Sequence, residues 1–102
     1  MYPFFVLENV TFILMSDKKL ITEKKALGLR IAELRKKVID PSTNKPISQE
    51  ELGLRTGNAK KTIGEIERGN TNPTFETLFK IARELKVPII ELFNYSKNMK
   101  NS

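Results

Sequence analysis

A stretch of ten residues, KKTIGEIERG at 60–69, combines charged side chains with a glycine at helical spacing. Ile63 and Ile66 are three residues apart, which predicts one buried face of a helix. The opposite face would carry Lys60, Lys61, Gly64, Glu65 and Arg68. Lysine can donate to guanine and glutamate can accept from cytosine, so this face has the chemistry to read DNA base edges. On the residues alone, an ion pair between Lys61 and Glu65, one turn apart, is the simpler explanation.

The composition excludes several classes of protein. The chain has 102 residues and a formal net charge of +6, enough length for one domain with a modest core. It contains no cysteine and no histidine, which removes disulfides, thiolate metal sites and the commonest acid–base catalyst. We therefore expect no catalytic residues, no metal and no cofactor. The basic balance is compatible with nucleic acid or an anionic surface as a partner.

The elements that must position this face are helices. From Thr22 onward the pattern predicts an all-α chain of five helices. The first ends near Asp40-Pro41, because the residue before a proline avoids the helical region. Its buried stripe is Leu27, Ile31, Leu34 and Val38. The sequence DPSTNKP then predicts a polar loop, and Ser48 opens the second helix with a capping box.

The later helices have clear start and stop signals as well. Gly57 ends the second helix, and Gly69 ends the third, which runs from about Ala59 to Arg68. Ala59 is a poor cap, so the side chain of Asn58 is the alternative. Thr74 caps the fourth helix, whose expected buried face is Phe75, Leu78, Phe79, Ala82 and Leu85. Pro88 suits the first turn of a fifth helix, which buries Ile89, Leu92 and Phe93.

The first fifteen residues, MYPFFVLENVTFILM, are almost entirely apolar. They are fewer than the roughly 20 residues that span a bilayer, and they lack the basic start of a signal peptide. Two interpretations remain open: a short β-strand or hairpin arm, or an artefact of the start site with Met15 as the natural first residue. We expect an arm at 1–15, a DNA-binding domain at 22–94 and a polar tail at 95–102, in a cytoplasmic protein without a membrane contact.

The segments ISQEELGLRTG and KKTIGEIERGNTNPTFETLFKIARELKVPIIELF carry a family resemblance. From about Leu27 to Phe93 the chain resembles the DNA-binding domain of phage repressor and Cro-type regulators, the XRE-like helix-turn-helix family. The resemblance implies a five-helix fold that binds double-stranded DNA through its third helix, usually as a dimer. The loop before the second helix is several residues longer than is usual in the family.

The resemblance also implies roles for individual residues. Lys60 and Lys61 would lie at the start of the recognition helix, where side chains meet base edges, and Lys61 and Glu65 could read neighbouring base pairs. Gly64 would let the backbone approach the DNA. The family position of Gln49 meets phosphate and braces this helix, while Ser48 acts mainly as a cap. Two further expectations complete the set: Arg68 reaches phosphate or complements the helix end, and Arg35 pairs with Glu67 in a partly buried ion pair.

Three functions of different classes are considered for a chain with these features. The first is a sequence-specific transcriptional regulator that dimerises through helix five, with or without a contribution from the N-terminal arm. The second is an antitoxin that binds a protein partner through the arm and also binds its own operator. The third is an enzyme, which no nucleophile, phosphate loop or metal-ligand set supports. No effector-binding domain is recognised after helix five, so direct sensing of a small molecule is not expected.

Overall fold

The helices and strands are taken from a computed structural model, which describes the backbone of residues 2–95 and the side chains of residues 17–95. In chain order the elements are helix α1 (Tyr2–Arg35), strands β1 (Ile39–Asp40) and β2 (Lys45–Pro46), helices α2 (Gln49–Thr56), α3 (Lys60–Arg68) and α4 (Phe75–Glu84), and a 3-10 helix (Ile89–Phe93). In this part of the chain, no helix combines the length and apolar content needed to cross a bilayer.

The fold is mostly helical, but the expectation of five α-helices is wrong. Among residues 2–95 there are four α-helices, and the fifth predicted helix is a 3-10 helix of five residues. Its turns close through bonds to the third residue back, such as Glu91 N to Pro88 O at 2.9 Å. Leu92 is the one fully buried side chain of this segment, so packing stabilises a single tight turn and not a longer helix.

The first helix differs from its prediction at both ends. Its bounds include the residues predicted as a strand or hairpin arm, so the expectation of β-structure there is wrong. No glycine or proline interrupts residues 4–27, and the chain can therefore remain helical. The side chains of residues 1–16 and the whole of the tail 96–102 lie outside the described residues. At its other end the helix stops at Arg35, before the expected boundary.

The segment predicted as a polar loop is a small hairpin. Strands β1 and β2 pair antiparallel, with Ile39 opposite Pro46 and Asp40 opposite Lys45. Asp40 Oδ1 accepts from the backbone N and the hydroxyl of Ser42 at 2.9 and 2.7 Å. Both bonds hold the pKa of the Asp40 carboxyl below its ordinary value, and the bond from the Ser42 hydroxyl has the larger effect. Asn44 takes a left-handed φ of 56°, a conformation that asparagine tolerates in turns.

The core lies between α1, α2, α3 and α4. Six of its side chains are almost fully buried: Ile31, Ile47, Leu52, Ile63, Ile81 and Leu92. The expected burial of three aromatic residues is wrong, since Phe75, Phe79 and Phe93 are 69%, 52% and 45% exposed. On α4 the buried stripe centres on Leu78, Ile81, Ala82 and Leu85, and at 100° per residue Phe75 and Phe79 fall at its edge.

The ends of the helices follow the local signals. Ser48 Oγ accepts from Glu51 N at 3.0 Å, and Gly57 closes α2 with a φ of 74°. Thr74 caps α4 by accepting from Thr77 N. The alternative cap for α3 is wrong, because Asn58 Nδ2 donates to Thr56 O and Thr56 Oγ1 at 3.2 and 3.0 Å. Helix α3 therefore begins after Ala59 with no side-chain cap.

Two glycines let the helices approach backbone to backbone. A Cβ on Gly28 of α1 would lie 2.3 Å from Glu67 O, at the end of α3. A Cβ on Gly53 of α2 would lie 2.4 Å from Asn58 O, in the turn before α3. Both distances are shorter than real Cβ contacts, so a larger residue at either position would displace α3.

Candidate nucleic-acid interface

Helix α3 turns one face to the core and the other to solvent. Ile63, Ile66 and Glu67 are buried on the inner side. Lys60 and Lys61 are exposed in the first turn. Thr62 is exposed beside them; sequence reasoning missed it, although its place one residue after Lys61 in the first turn was the available signal. The helix therefore presents two cations and a hydroxyl at the end where a recognition helix meets base edges.

The inner side of α3 is fixed by an ion pair to α1. Arg35 Nε lies 2.7 Å from Glu67 Oε2, and Arg35 Nη2 lies 3.1 Å from Glu67 Oε1. The two side chains are only 12% and 7% exposed. Arg35 Nη1 also donates to Ile47 O at 2.9 Å, a contact that sequence reasoning did not foresee because it depends on the path of the chain after the hairpin.

Gln49 connects the start of α2 to the same carboxylate. Its Nε2 donates to Glu67 Oε1 at 2.8 Å, and its Oε1 would be 3.5 Å from a Cβ on Gly64. The side chain of Gln49 therefore lies between α2 and α3 at the edge of the outward face. Ser48 next to it is exposed and uses its hydroxyl as the cap of α2.

The charged pair on the outward face is Glu65 with Arg68. Arg68 Nη2 lies 2.6 Å from Glu65 Oε1. The hydrogen bond from Arg68 is the largest cause that holds the pKa of the Glu65 carboxyl below its ordinary value, and the charges of Arg68 and Lys61 add to it. In the described part of the chain the salt bridge of Glu65 is with Arg68, so the simpler explanation offered above, pairing with Lys61, is wrong.

Gly64 lies underneath the guanidinium of Arg68. A Cβ at this position would be 3.1 Å from Arg68 Nη1 and 3.4 Å from Nη2. Long side chains on helices run back toward the N-terminus, so the tip of Arg68 reaches the residue one turn earlier. Gly64 is accordingly buried although it faces outward, and the surface at its position is formed by arginine.

Among the residues that the structure describes, no group of three His, Cys, Asp or Glu side chains could hold a metal ion. Around α3, Glu67 is instead bonded to Arg35 and Gln49, and Glu65 is bonded to Arg68. Of the buried side-chain nitrogen and oxygen atoms in residues 17–95, none lacks a hydrogen-bond partner. The arrangement is therefore suited to presenting fixed donors and acceptors, which is a binding task.

Comparison with known proteins decides the family. The family model described as Helix-turn-helix matches residues 46–92, which include α2 and α3. An HTH-type transcriptional regulator of Sinorhizobium fredii, y4dJ, is 35% identical over 69 residues, which cover 68% of this chain and 80% of that protein. The chain belongs to the helix-turn-helix family of transcriptional regulators. This family binds DNA and is not enzymatic, so the protein is a DNA-binding regulator and not an enzyme.

Two further proteins are similar to this member of the family. An HTH-type transcriptional regulator of Archaeoglobus fulgidus is 35% identical over 51 residues, covering 50% of this chain and 72% of that protein. The crystal structure of the restriction-modification controller protein C.AhdI from Aeromonas hydrophila matches with a TM-score of 0.60 and 32% identity, over 71% of this chain and 98% of that one. These relatives give the antitoxin alternative no support.

Proposed function

We propose that the protein regulates transcription by binding a specific DNA sequence as a homodimer, with α3 in the major groove. The residues that would face the base edges are Lys60, Lys61, Gly64 and Glu65, and Arg68 would contact the DNA from the same outward face. Ser48 and Gln49, at the start of α2, would meet the phosphate backbone. The protein would act in the cytoplasm, where bacterial and archaeal DNA is found.

The observation that carries this proposal is the two-sided construction of α3. Its inner side is tied to α1 and α2 by the Arg35–Glu67–Gln49 network. Its outer side presents Lys60 and Lys61, which are exposed and form no salt bridge within residues 17–95. A fixed helix with free cations at its start can place donors in a groove without first breaking internal ion pairs.

A second copy of the chain is the partner we propose for the outer side of α4 and the 3-10 helix. These two elements carry four exposed large apolar residues: Phe75, Phe79, Ile90 and Phe93. Phe79, Val87 and Ile89 line a shallow groove of about 230 Å³ beside them. A two-fold pairing would cover this surface with its own copy, and it would set two α3 helices one duplex turn apart.

We propose residues 22–94 as the unit that binds DNA, in line with the domain boundaries expected from the sequence. A chain that starts at Met15 is the test for the segment before it. If residues 1–14 cover or extend the dimer surface, this shorter chain should lose dimerisation or solubility. Unchanged dimerisation and DNA binding would show that the 3-10 helix and α4 carry the contact alone.

The deciding experiment measures DNA binding as a function of salt. The probe is a duplex selected by the protein from a randomised library, and the readout is fluorescence anisotropy. If each subunit meets roughly four phosphates, log K should fall with log salt at a slope of about −7. Native mass spectrometry should show two chains on one duplex. A slope near −1, or one chain per duplex, would contradict the proposed mode of binding.

One form of this function is control of a restriction-modification system. It is favoured by the similarity to C.AhdI, of which the match covers 98%. The neighbouring genes provide the test. A methylase and an endonuclease gene beside this one would support the controller role, whereas their absence would leave a regulator of other genes.

A further inference from the structure

Arg68 belongs to the last turn of α3, but its guanidinium does not lie there. The side chain runs back over Gly64, where Nη1 and Nη2 come within 3.1 and 3.4 Å of the position that a Cβ would occupy. Glu65 holds Nη2 at 2.6 Å from one side. The side chain of Arg68 is still 56% exposed, so its planar group lies fixed on the outward surface at the middle of the helix.

We propose that Gly64 and Glu65 form a seat that presents Arg68 to a guanine base, and that Arg68 is a specificity-determining residue of this protein. The inference rests on the proposed function, since it requires α3 to enter the major groove. The proposed function does not say which part of the outward face of α3 distinguishes one DNA sequence from another, or which base pair that part prefers. This inference supplies both.

The chemistry of the pair favours guanine opposite cytosine. A guanidinium fork donates two parallel hydrogen bonds that match guanine O6 and N7, and a carboxylate accepts from cytosine N4. In the described structure Arg68 makes one side-chain hydrogen bond, from Nη2 to Glu65 Oε1. Its other N–H groups are therefore left to bond a base, while the Glu65 carboxylate orients the guanidinium and also has Asn70 within hydrogen-bonding reach. Because the geometry is set before binding, little side-chain freedom is lost on binding.

A phosphate contact is the alternative role for Arg68, and the seat argues against it. Lysine meets phosphate as a point charge that needs no orienting partner, whereas the planar fork of arginine suits phosphate and guanine alike, so the position of the fork must separate the two roles. Here the guanidinium is oriented by Glu65 and given room by a glycine inside a helix, where glycine is otherwise unfavourable. The arrangement fixes the plane of the group over Gly64, in the middle of the helix face that is proposed to enter the groove, where base edges are within reach.

The test is a selection from a randomised duplex library of about 30 base pairs, long enough for two half-sites one turn apart. The full chain is compared with Arg68→Lys and Arg68→Ala. Arg55→Lys is the matched control, because Arg55 also lies in the last turn of its helix and pairs with a glutamate of the same helix, Glu51 at 2.8 Å. Bound duplexes are sequenced, and the affinities for single-base variants of the parent's preferred sequence are measured.

We expect both Arg68 variants to lose a preference of roughly 10- to 100-fold for one G·C pair in each half-site. Preferences at other positions should remain, and Arg55→Lys should select the parent's sequence. The inference is overturned if Arg68→Lys selects the same sequence as the parent. It is also overturned if Arg68→Ala binds all sequences more weakly by the same factor, with a flatter salt slope, because that is the signature of a phosphate contact. If the parent chain itself selects no sequence, the proposed function fails as well, and the two failures are thereby distinguished.

A double-variant cycle separates the seat from a simple approach of the backbone at Gly64. If Gly64 acts by seating Arg68, Gly64→Ala should lose the same base preference, and adding it to Arg68→Ala should cause no further loss. If Gly64 acts by letting the DNA come close, the two losses should multiply. Losses that multiply would overturn the proposal that Gly64 acts by positioning Arg68. The melting temperature Tm of each variant, measured beside binding, should stay at or above that of the parent for Gly64→Ala.

Discussion

Arg35 of α1 and Glu67 of α3 meet through two parallel contacts, Nε to Oε2 at 2.7 Å and Nη2 to Oε1 at 3.1 Å. Gln49 of α2 adds a third bond to the same carboxylate at 2.8 Å. One glutamate thus ties the helix that faces solvent to the two helices behind it. Because the pair is mostly buried, removal of one partner leaves the other charge without compensation.

The first prediction concerns this pair. Glu67→Gln should lower the free energy of unfolding by about 3–5 kcal/mol, measured as a shift of the urea midpoint. Glu76→Gln is the matched control, since Glu76 is 76% exposed and pairs with Lys80 on the surface of α4; it should change stability by less than about 1 kcal/mol. An unchanged midpoint for Glu67→Gln would mean that the pair contributes nothing to the fold.

The second prediction compares two glycine-to-alanine substitutions inside helices. Gly28→Ala should lower stability by about 1–3 kcal/mol, because the new methyl meets the backbone oxygen of Glu67 at 2.3 Å. Gly64→Ala should be neutral or stabilising, since its methyl meets only side-chain tips, those of Arg68 and, at 3.5 Å, of Gln49, and alanine favours the helix. The measurement is the urea midpoint of each variant. Equal effects would show that α1 and α3 can separate at Gly28 without cost.

The parts of the fold that follow local chemistry were predictable from the sequence. Ser48 and Thr74 cap their helices, and Gly57 and Gly69 end theirs in the left-handed conformation. Each of these signals depends on a few neighbouring residues, so it can be recognised without knowledge of the tertiary contacts. The length of α1 and the short final helix were not predictable, because they depend on packing that the sequence pattern does not specify.

The same division holds at the candidate site. The exposed position of Lys60 and Lys61 follows from the spacing of Ile63 and Ile66. The partner of Glu65 does not, because Lys61 and Arg68 are both within reach of it on the helix surface and the pattern cannot rank them. In the structure the side chain of Arg68 bends back over Gly64, and only the atomic arrangement shows that the glycine makes room for it.

The third prediction tests base reading at the start of α3. Lys61→Ala should cost about 1–3 kcal/mol of binding free energy on DNA selected by the parent, and much less on random DNA. Lys36→Ala is the control for charge, since Lys36 is also exposed but is not part of α3. It should weaken binding to both DNAs equally or not at all. Equal losses on both DNAs for Lys61→Ala would reduce its role to phosphate contact.

The fourth prediction locates the dimer surface. Ile90→Glu should give a monomer, because it places a charge in the apolar surface of the 3-10 helix and α4. Leu54→Glu is the matched control, since Leu54 on α2 and Ile90 are both 72% exposed. Light scattering after size exclusion gives the mass of each variant. A monomeric Leu54→Glu together with a dimeric Ile90→Glu would move the interface to α2.

The last prediction concerns alkaline pH and the contact between the end of the described chain and α1. The hydroxyl of Tyr95 donates to Glu23 Oε2. Burial, followed by this bond and by the charge of Glu23, raises the pKa of Tyr95 from 10.0 to about 12. A raised pKa means that the folded state favours the protonated phenol, so the contribution to stability is complete below pH 10 and is lost as the pH rises through about 12.

Tyr95→Phe removes the ionisable group, so the free energy of unfolding of this variant should not show the decrease at alkaline pH that the parent shows. The difference between the urea midpoints of the parent and of the variant should therefore be constant below pH 10 and should shrink, or change sign, from pH 10 to about 12. Taking a difference cancels the titration of the lysines, which both chains share. The chain has two tyrosines, Tyr2 and Tyr95, so a Tyr2→Phe background lets tyrosinate absorbance report Tyr95 alone. A midpoint of that titration near 10 would show that the phenol is free of Glu23 and that the end of the chain is not held to α1 by this bond.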